Sequence, residues 1–245
     1  YSVKSTDLNN YNNNLAMGED SMAAGVSAKA LGDRSVALGN NTGAQSLGSI
    51  TVGAGYEDPA NPGSLKQTLA ISGYQYNTAI GAGAQAAGNN SLAIGTLATS
   101  SIKNGGSSVD KAVAIGYSAG VSDDKAIAVG SDAKSNSKSA TAMGDTAQAL
   151  NANALAIGTT AKAEGASSGA IGTNNYVKGE NTYVLGAGNN NSGTASDGVA
   201  AVNSGIFGNS NNLEGDSNRI VGNSNKVEKA SMAQSGSTTQ IGRAH

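Results

Sequence analysis

His245 is the only imidazole in a 245-residue chain that has no cysteine. One histidine at that position supplies neither a Ser-His-Asp triad, nor a HExxH zinc site, nor an imidazole proton relay. Without cysteine there are no disulfides and no thiolate metal sites. Glycines recur at suggestive intervals in GAGAQAAG (81–88) and GAGYEDP (53–59). Neither is followed by a helical pattern or by the Lys-Ser/Thr of a phosphate-binding loop, so they read as turn and strand-end glycines. The adjacent acids Glu57–Asp58 and Asp123–Asp124 would serve a paired-carboxylate glycosidase only if they were opposed across a cleft. As sequence neighbours they read as solvated turn acids. GGSSVD (105–110) falls short of the Gly-Gly-x-Gly-x-Asp of a calcium-binding roll. The sequence therefore names no catalytic residue, no cofactor-binding residue and no metal ligand, and no cofactor is expected. An enzyme on a long-coiled β-helix would need a cleft lined with acids, bases or aromatics, which this pattern does not offer.

The elements that would position any functional group follow from composition and period. Glycine occurs 35 times, tyrosine 8 times, phenylalanine once and tryptophan not at all. Charged residues make up 13% of the chain and the net charge is -2. Its lysines are scattered singly, which argues against a nucleic-acid groove, where clustered Lys and Arg displace counterions. No stretch approaches the ~18 apolar residues of a bilayer-spanning helix. No signal peptide opens the sequence, so a surface protein of this kind is expected to be a piece of a longer one.

A short apolar unit recurs as SVALG, SLAIG, AVAIG and ALAIG: bulky, Ala, bulky, Gly. The closing glycines Gly116, Gly130, Gly144, Gly158, Gly172 and Gly186 follow one another at steps of 14 residues, as do Gly25, Gly39 and Gly53, Gly81 and Gly95, and Gly208 and Gly222. A fixed period over most of a chain marks a solenoid. Fourteen residues are too few for a helix pair of about 34. They suit two strands of about 4–5 residues and two tight turns. The second strand reads Ala-x-Ala-x-Gly, as in TAKAEG and SAKALG. The expected fold is all-β: a parallel two-sheet β-roll of 14-residue coils forming a single array over 1–245.

In the second strand alanine alternates with Lys, Glu, Gln, Ser and Asp, so alanine must face inward. By the same logic Ala93, Ala114, Ala128, Ala142 and Ala156 of the first strand fill a thin interior. Their bulky neighbours then face outward: Val36 and Leu38, Leu92 and Ile94, Val113 and Ile115, Ile127 and Val129, Leu155 and Ile157. Burying one such side chain is worth roughly 1.5–3 kcal/mol, against about 5–15 kcal/mol for a whole domain. A dozen left wet would forfeit too much, so these residues are expected to form an interface with other copies of the chain. The alternative, bulky residues inside and alanine outside, makes a fatter monomer.

The regular Ala-rich coils run over about 14–168, and Asn-rich coils over about 169–245. In the latter Val184, Ile206 and Ile220 replace alanine, and Val177, Leu213 and Val227 are expected to fill the roll. Asparagine can stack in ladders there or sit in turns. Gly169, Gly205 and Arg219 take the first outward position, so the seam is expected to change. Loop insertions are read at about 54–68, 99–110 and 187–204. Tyr56, Glu57, Asp58, Tyr74 and Tyr76 flank the proline-containing insertion and are the candidate ligand-binding residues, since tyrosine offers a large contact area with a polar tip.

These repeats, spaced at 14 over almost the whole chain, resemble the head repeats of YadA-like trimeric autotransporter adhesins. The resemblance implies a left-handed parallel β-roll, a homotrimer packed along the apolar stripe, and display on the outer membrane of a Gram-negative bacterium. It implies that a signal peptide, a coiled-coil stalk and a membrane anchor lie outside this sequence. It also implies a role in virulence and host–pathogen contact, through a CEACAM, collagen or fibronectin type of partner. A structural spacer or self-associating module of a surface fibre is the other function consistent with the pattern.

Overall fold

The computed structural model describes residues 15–71, 73–100, 109–191, 201–227 and 239–241. All regular elements among them are strands. The chain divides into two compact units, residues 1–132 and 133–245. Each is a parallel β-solenoid with two sheets.

In the first unit one sheet is built from the tetrads. It includes Met22–Ala24, Val36–Asn40, Ile50–Ala54, Thr78–Ile80, Leu92–Ile94, Val113–Ile115 and Ile127–Val129, each paired in parallel with the next. The other sheet runs from Lys29–Ala30 through Thr42–Ala44, Thr68–Ala70, Gln85–Ala86 and Thr99–Ser100 to Gly120–Val121. Register keeps like on like: Leu92 beside Val113, Ala93 beside Ala114, Ile94 beside Ile115. The alanines Ala79, Ala84, Ala86, Ala93 and Ala98 form one fully buried cluster. Two short strands with small inward side chains leave no room for anything wider.

The second unit repeats the plan. Its tetrad sheet passes from Thr141–Met143 through Leu155–Ile157, Gly169–Ile171, Tyr183–Leu185 and Gly205–Phe207 to Arg219–Val221 and Thr239–Ile241. The opposite sheet runs from Lys134–Ser135 to Lys226–Val227. Its core begins with alanine and then enlarges. Val177, Val184, Ile206, Leu213 and Ile220 are all buried, and Val227 packs against them. Both sheets enlarge together, so the roll widens rather than clashes.

Tight stacking requires glycine where the tetrads close. At Gly158 the backbone has φ +124, and a Cβ there would lie 2.4 Å from the carbonyl oxygen of Gly172. Only a residue without a side chain fits that approach. The turns use left-handed residues of every kind, including Arg34, Lys125 and Leu97 at φ between 55 and 60. Turn acids are also structural. Asp124 Oδ1 accepts the backbone N–H of Asp110 at 3.0 Å, and Asp110 Oδ1 accepts that of Asn89 at 2.9 Å. Asp124 is thus a backbone cap rather than merely a solvated acid.

The asparagines of the second unit form a buried ladder. Asn189 donates from Nδ2 to Asn175 Oδ1 at 2.9 Å, and Asn211 does the same to Asn189. Each of these amides also donates to a stacked glycine carbonyl, Gly208 and Gly222 respectively. Asn191, fully buried in the opposite sheet, accepts from Gly179 N and donates to Ala201 O.

Parts of the second and third insertions, 101–108 and 192–200, lie outside the described residues, as does His245. The first insertion carries a short antiparallel hairpin, Tyr56–Glu57 with Leu65–Lys66.

Candidate functional site

The outer face of the tetrad sheets carries the aliphatic residues expected there. Ala93, Ala114 and Ala128 in the first unit, and Ala142 and Ala156 in the second, have no exposed surface. Their neighbours are turned the other way. Val36, Leu38, Leu92, Ile94, Val113, Ile115, Ile127 and Val129 stand half-buried on the outside of the first unit, and Leu155 and Ile157 on that of the second. Their burial comes from stacking on the same row of adjacent coils. The sequence reading stopped at Ile157, but the row goes on. In the second unit Leu185, Phe207 and Val221 are paired neighbours, 44%, 59% and 53% exposed. Their signal was legible: each stands one residue before a tetrad-closing glycine.

The first outward position of that unit alternates large and absent side chains. Gly169 lies under the ring of Tyr183, whose Cδ1 would be 2.7 Å from a Cβ at Gly169. Gly205 is likewise covered by the Arg219 stem. An aromatic laid on a strand glycine restores the packing the glycine lacks.

The candidate ligand-binding residues do not converge. Tyr56 belongs to the hairpin, which is inserted at the turn leaving a tetrad strand. Tyr74 and Tyr76 lie in the turn entering the next tetrad strand, on the opposite edge of the coil. Tyr76 is 53% exposed, has φ 55 and lays its ring against Gly48. Glu57 and Asp58 fold inward to close their own loop, accepting the N–H of Gly63 and of Ala60, each at 2.9 Å.

The hairpin edge has a partner that sequence reasoning missed. Partial burial, the neighbouring Tyr117 hydroxyl and the Asp58 carboxylate push the Tyr56 hydroxyl above its usual range. Tyr117 itself is 52% exposed. The clue lay in the phase: Ala54, Ala82, Thr96 and Tyr117 each follow a tetrad-closing glycine, so Tyr117 shares the edge from which the hairpin leaves. Lys66 pairs across the hairpin with Tyr56. Beside it a shallow trough is lined by Lys66, Gly83, Gln85, Leu97, Thr99 and Gly120, among others.

In the second unit, Lys162, Glu164 and Tyr176 form a compact surface group. Lys162 Nζ lies 2.6 Å from Glu164 Oε1, and the Tyr176 hydroxyl donates to Glu164 Oε2 at 2.6 Å. Partial burial pushes the Glu164 carboxyl up, but these two partners outweigh it and hold it below its usual range. Partial burial and the same carboxylate push the Tyr176 hydroxyl up to about 12. The ammonium sits 5.1 Å from the Tyr176 ring centroid. This is a cross-coil clasp between the strands Lys162–Ala163 and Tyr176–Val177. Among the described residues no group of three or more His, Cys, Asp and Glu side chains is placed to hold a metal ion.

Alanine inside and aliphatic residues presented outside define a parallel β-solenoid built from short repeats. The YadA head domain repeat matches residues 16–42, 78–98, 110–133, 135–161 and 151–175. The chain is a YadA-like head of the trimeric autotransporter adhesin family. That family is non-enzymatic in kind and implies a bacterial surface-exposed adhesin. No curated protein matches the chain.

Proposed function

We propose that the chain is the head of a homotrimeric adhesin, a left-handed roll of 14-residue coils displayed from the outer membrane of a Gram-negative bacterium. Three copies pack along the outward aliphatic rows and present their coil edges to a host receptor or matrix protein of the CEACAM, collagen or fibronectin type. The observation that carries this reading is the outer face of the tetrad sheets. Val113, Ile115, Ile127 and Val129 stand there partly exposed over a core of alanine. Covering what each still exposes is worth up to about 1 kcal/mol. A row of them is comparable to the net stability of a typical domain, about 5–15 kcal/mol, and a contiguous apolar face of this kind marks an interaction surface. Trimerisation also triplicates each edge, so weak contacts gain avidity.

Sedimentation equilibrium in dilute buffer tests the assembly: a trimer is expected, and a stable soluble monomer would overturn it. A pull-down from host-cell membranes with the same preparation tests adhesion. Because Tyr56 and Tyr76 lie on opposite edges, Tyr56→Ala and Tyr76→Ala separate the two candidate faces. Loss with one and not the other identifies the binding edge, while full retention with both excludes these tyrosines.

A further inference from the structure

The trough beside the hairpin differs from every comparable place on the described surface in one respect: its glycine is bare. Elsewhere an outward strand glycine is covered by a neighbour's side chain. Gly43 lies under Leu69, whose Cδ2 would be 2.8 Å from a Cβ there, and Gly169 lies under Tyr183. At Gly120 a Cβ would meet nothing within 4 Å. Gly120 stands in the outward row Gln85, Thr99, Gly120 of one sheet, so the floor steps down from Gln85 and offers the Gln85 amide and an acceptor, Thr99 Oγ1, whose own proton is donated to Leu97 O at 3.0 Å.

The walls are held in place at some cost. Leu97 adopts φ 60, a left-handed conformation that a branched apolar residue rarely takes. Its Cδ2 reaches to 3.1 Å from a Cβ built on Gly83, and the Tyr56 Cβ reaches to 2.8 Å from the same point. The cross-strand pair Tyr56 and Lys66 therefore share the hairpin face that packs on Gly83, where Lys66 Cβ is also within 3.5 Å. Glu57 and Asp58 are committed to the loop backbone. Lys66 makes no ion pair with a described residue, and it is exposed at the trough mouth.

We infer that this trough binds a carboxylate-bearing sugar ring at the end or along the length of a host glycan. The Lys66 ammonium pairs with the carboxylate, the Gln85 amide hydrogen-bonds a ring hydroxyl, Thr99 Oγ1 accepts from another, and the open space above Gly120 admits the ring. A small polar floor with one cation suits a hydrated, singly charged ring better than an apolar side chain, which would leave the Gln85 amide and the Lys66 ammonium unpaired. This deepens the adhesin reading and rests on it for the source of the ligand.

Calorimetric titration of the assembled head with 3′-sialyllactose, with a hyaluronan tetrasaccharide and with lactose tests the inference. One of the two acidic glycans is expected to bind, identifying a terminal sialic acid or an internal uronic acid, and lactose to bind at least ~10-fold more weakly. Lys66→Gln is expected to weaken the acidic glycan ~10-fold or more. Gly120→Gln places in the trough a side chain that the same row already carries at position 85, and is expected to abolish binding with the circular dichroism spectrum and melting temperature unchanged. Equal binding of lactose, binding unaffected by both substitutions, or no binding of either acidic glycan would overturn the inference. Attachment to host cells stripped of sialic acid and uronate polymers separates the two levels. Undiminished attachment there leaves an adhesin without this sugar site.

Discussion

Asn211 donates both its backbone N–H and its Nδ2 to one oxygen, Oδ1 of Asn189, at 3.0 and 2.9 Å. Asn189 makes the same pair of bonds to Asn175. Each amide thus serves as acceptor for the coil after it and donor to the coil before it. Buried polar groups are tolerable only when satisfied in this way. Asn189→Ala would leave the buried N–H of Asn211 without its acceptor and Gly208 O without a donor. The expected cost is ~3 kcal/mol, from ~1–3 kcal/mol for each stranded group. Stability in a repeat array is local. The loss should therefore appear as faster hydrogen exchange at Asn211, with protection in the first unit retained.

Glycine is needed at some positions and merely present at others. Gly158→Ala would drive a Cβ to 2.4 Å from Gly172 O at φ +124, and is expected to cost ~3 kcal/mol or more. Gly120→Ala, with nothing within 4 Å, should change the unfolding free energy measured in urea by no more than ~0.5 kcal/mol. Comparable losses for the two would contradict the stacking argument.

Ser135 carries the one buried side-chain polar atom without a hydrogen-bond partner among the described residues. An unpaired buried hydroxyl is costly. Ser135→Ala removes it at a position where the next two coils carry Ala149 and Ala163, and is expected to stabilise the fold by ~1 kcal/mol, read as a higher melting temperature.

The Lys162–Glu164–Tyr176 clasp has a defined pH window. Glu164 titrates below its usual range in the folded chain, so its contribution is present above the unfolded value and fades as pH falls through the folded one. Tyr176, pushed up to about 12, contributes fully below its unfolded value near 10 and loses that contribution as pH rises through about 12. Both groups keep contact with water, which screens them, so each term is ~0.5 kcal/mol or less. Glu164→Gln should lower the melting temperature slightly at pH 7, by an amount that shrinks as pH falls through the range where the folded carboxyl is protonated.

Charge placed on the outward row tests the assembly from the other side. Ile115→Asp leaves Ala114 and the core untouched, since the two residues face opposite ways. It is expected to yield a smaller species in sedimentation while far-ultraviolet circular dichroism retains its strand signal. An unchanged sedimentation coefficient would remove this row from the interface.

Much of the fold was legible because its rules are local. The period of the closing glycines, the alternation of alanine with Lys162 or Gln148 on one strand and with Leu155 and Ile157 on the other, and the enlargement at Val184 and Leu213 each depend on nearby residues alone. The same periodicity could have disclosed Phe207 and Val221 on the outer face. It could also have disclosed Tyr117 on the hairpin's edge.

By itself the sequence determined a two-strand coil with alanine inward, because strand alternation and backbone stacking repeat identically from coil to coil. Only the tertiary structure decided which edge each tyrosine occupies, that Asp124 caps a backbone rather than facing solvent, and that among the outward strand glycines described Gly120 is left uncovered while Gly43, Gly169 and Gly205 are not. Those outcomes depend on which side chains of neighbouring coils and of the inserted hairpin happen to reach one another across space, and a one-dimensional period carries no record of that reach.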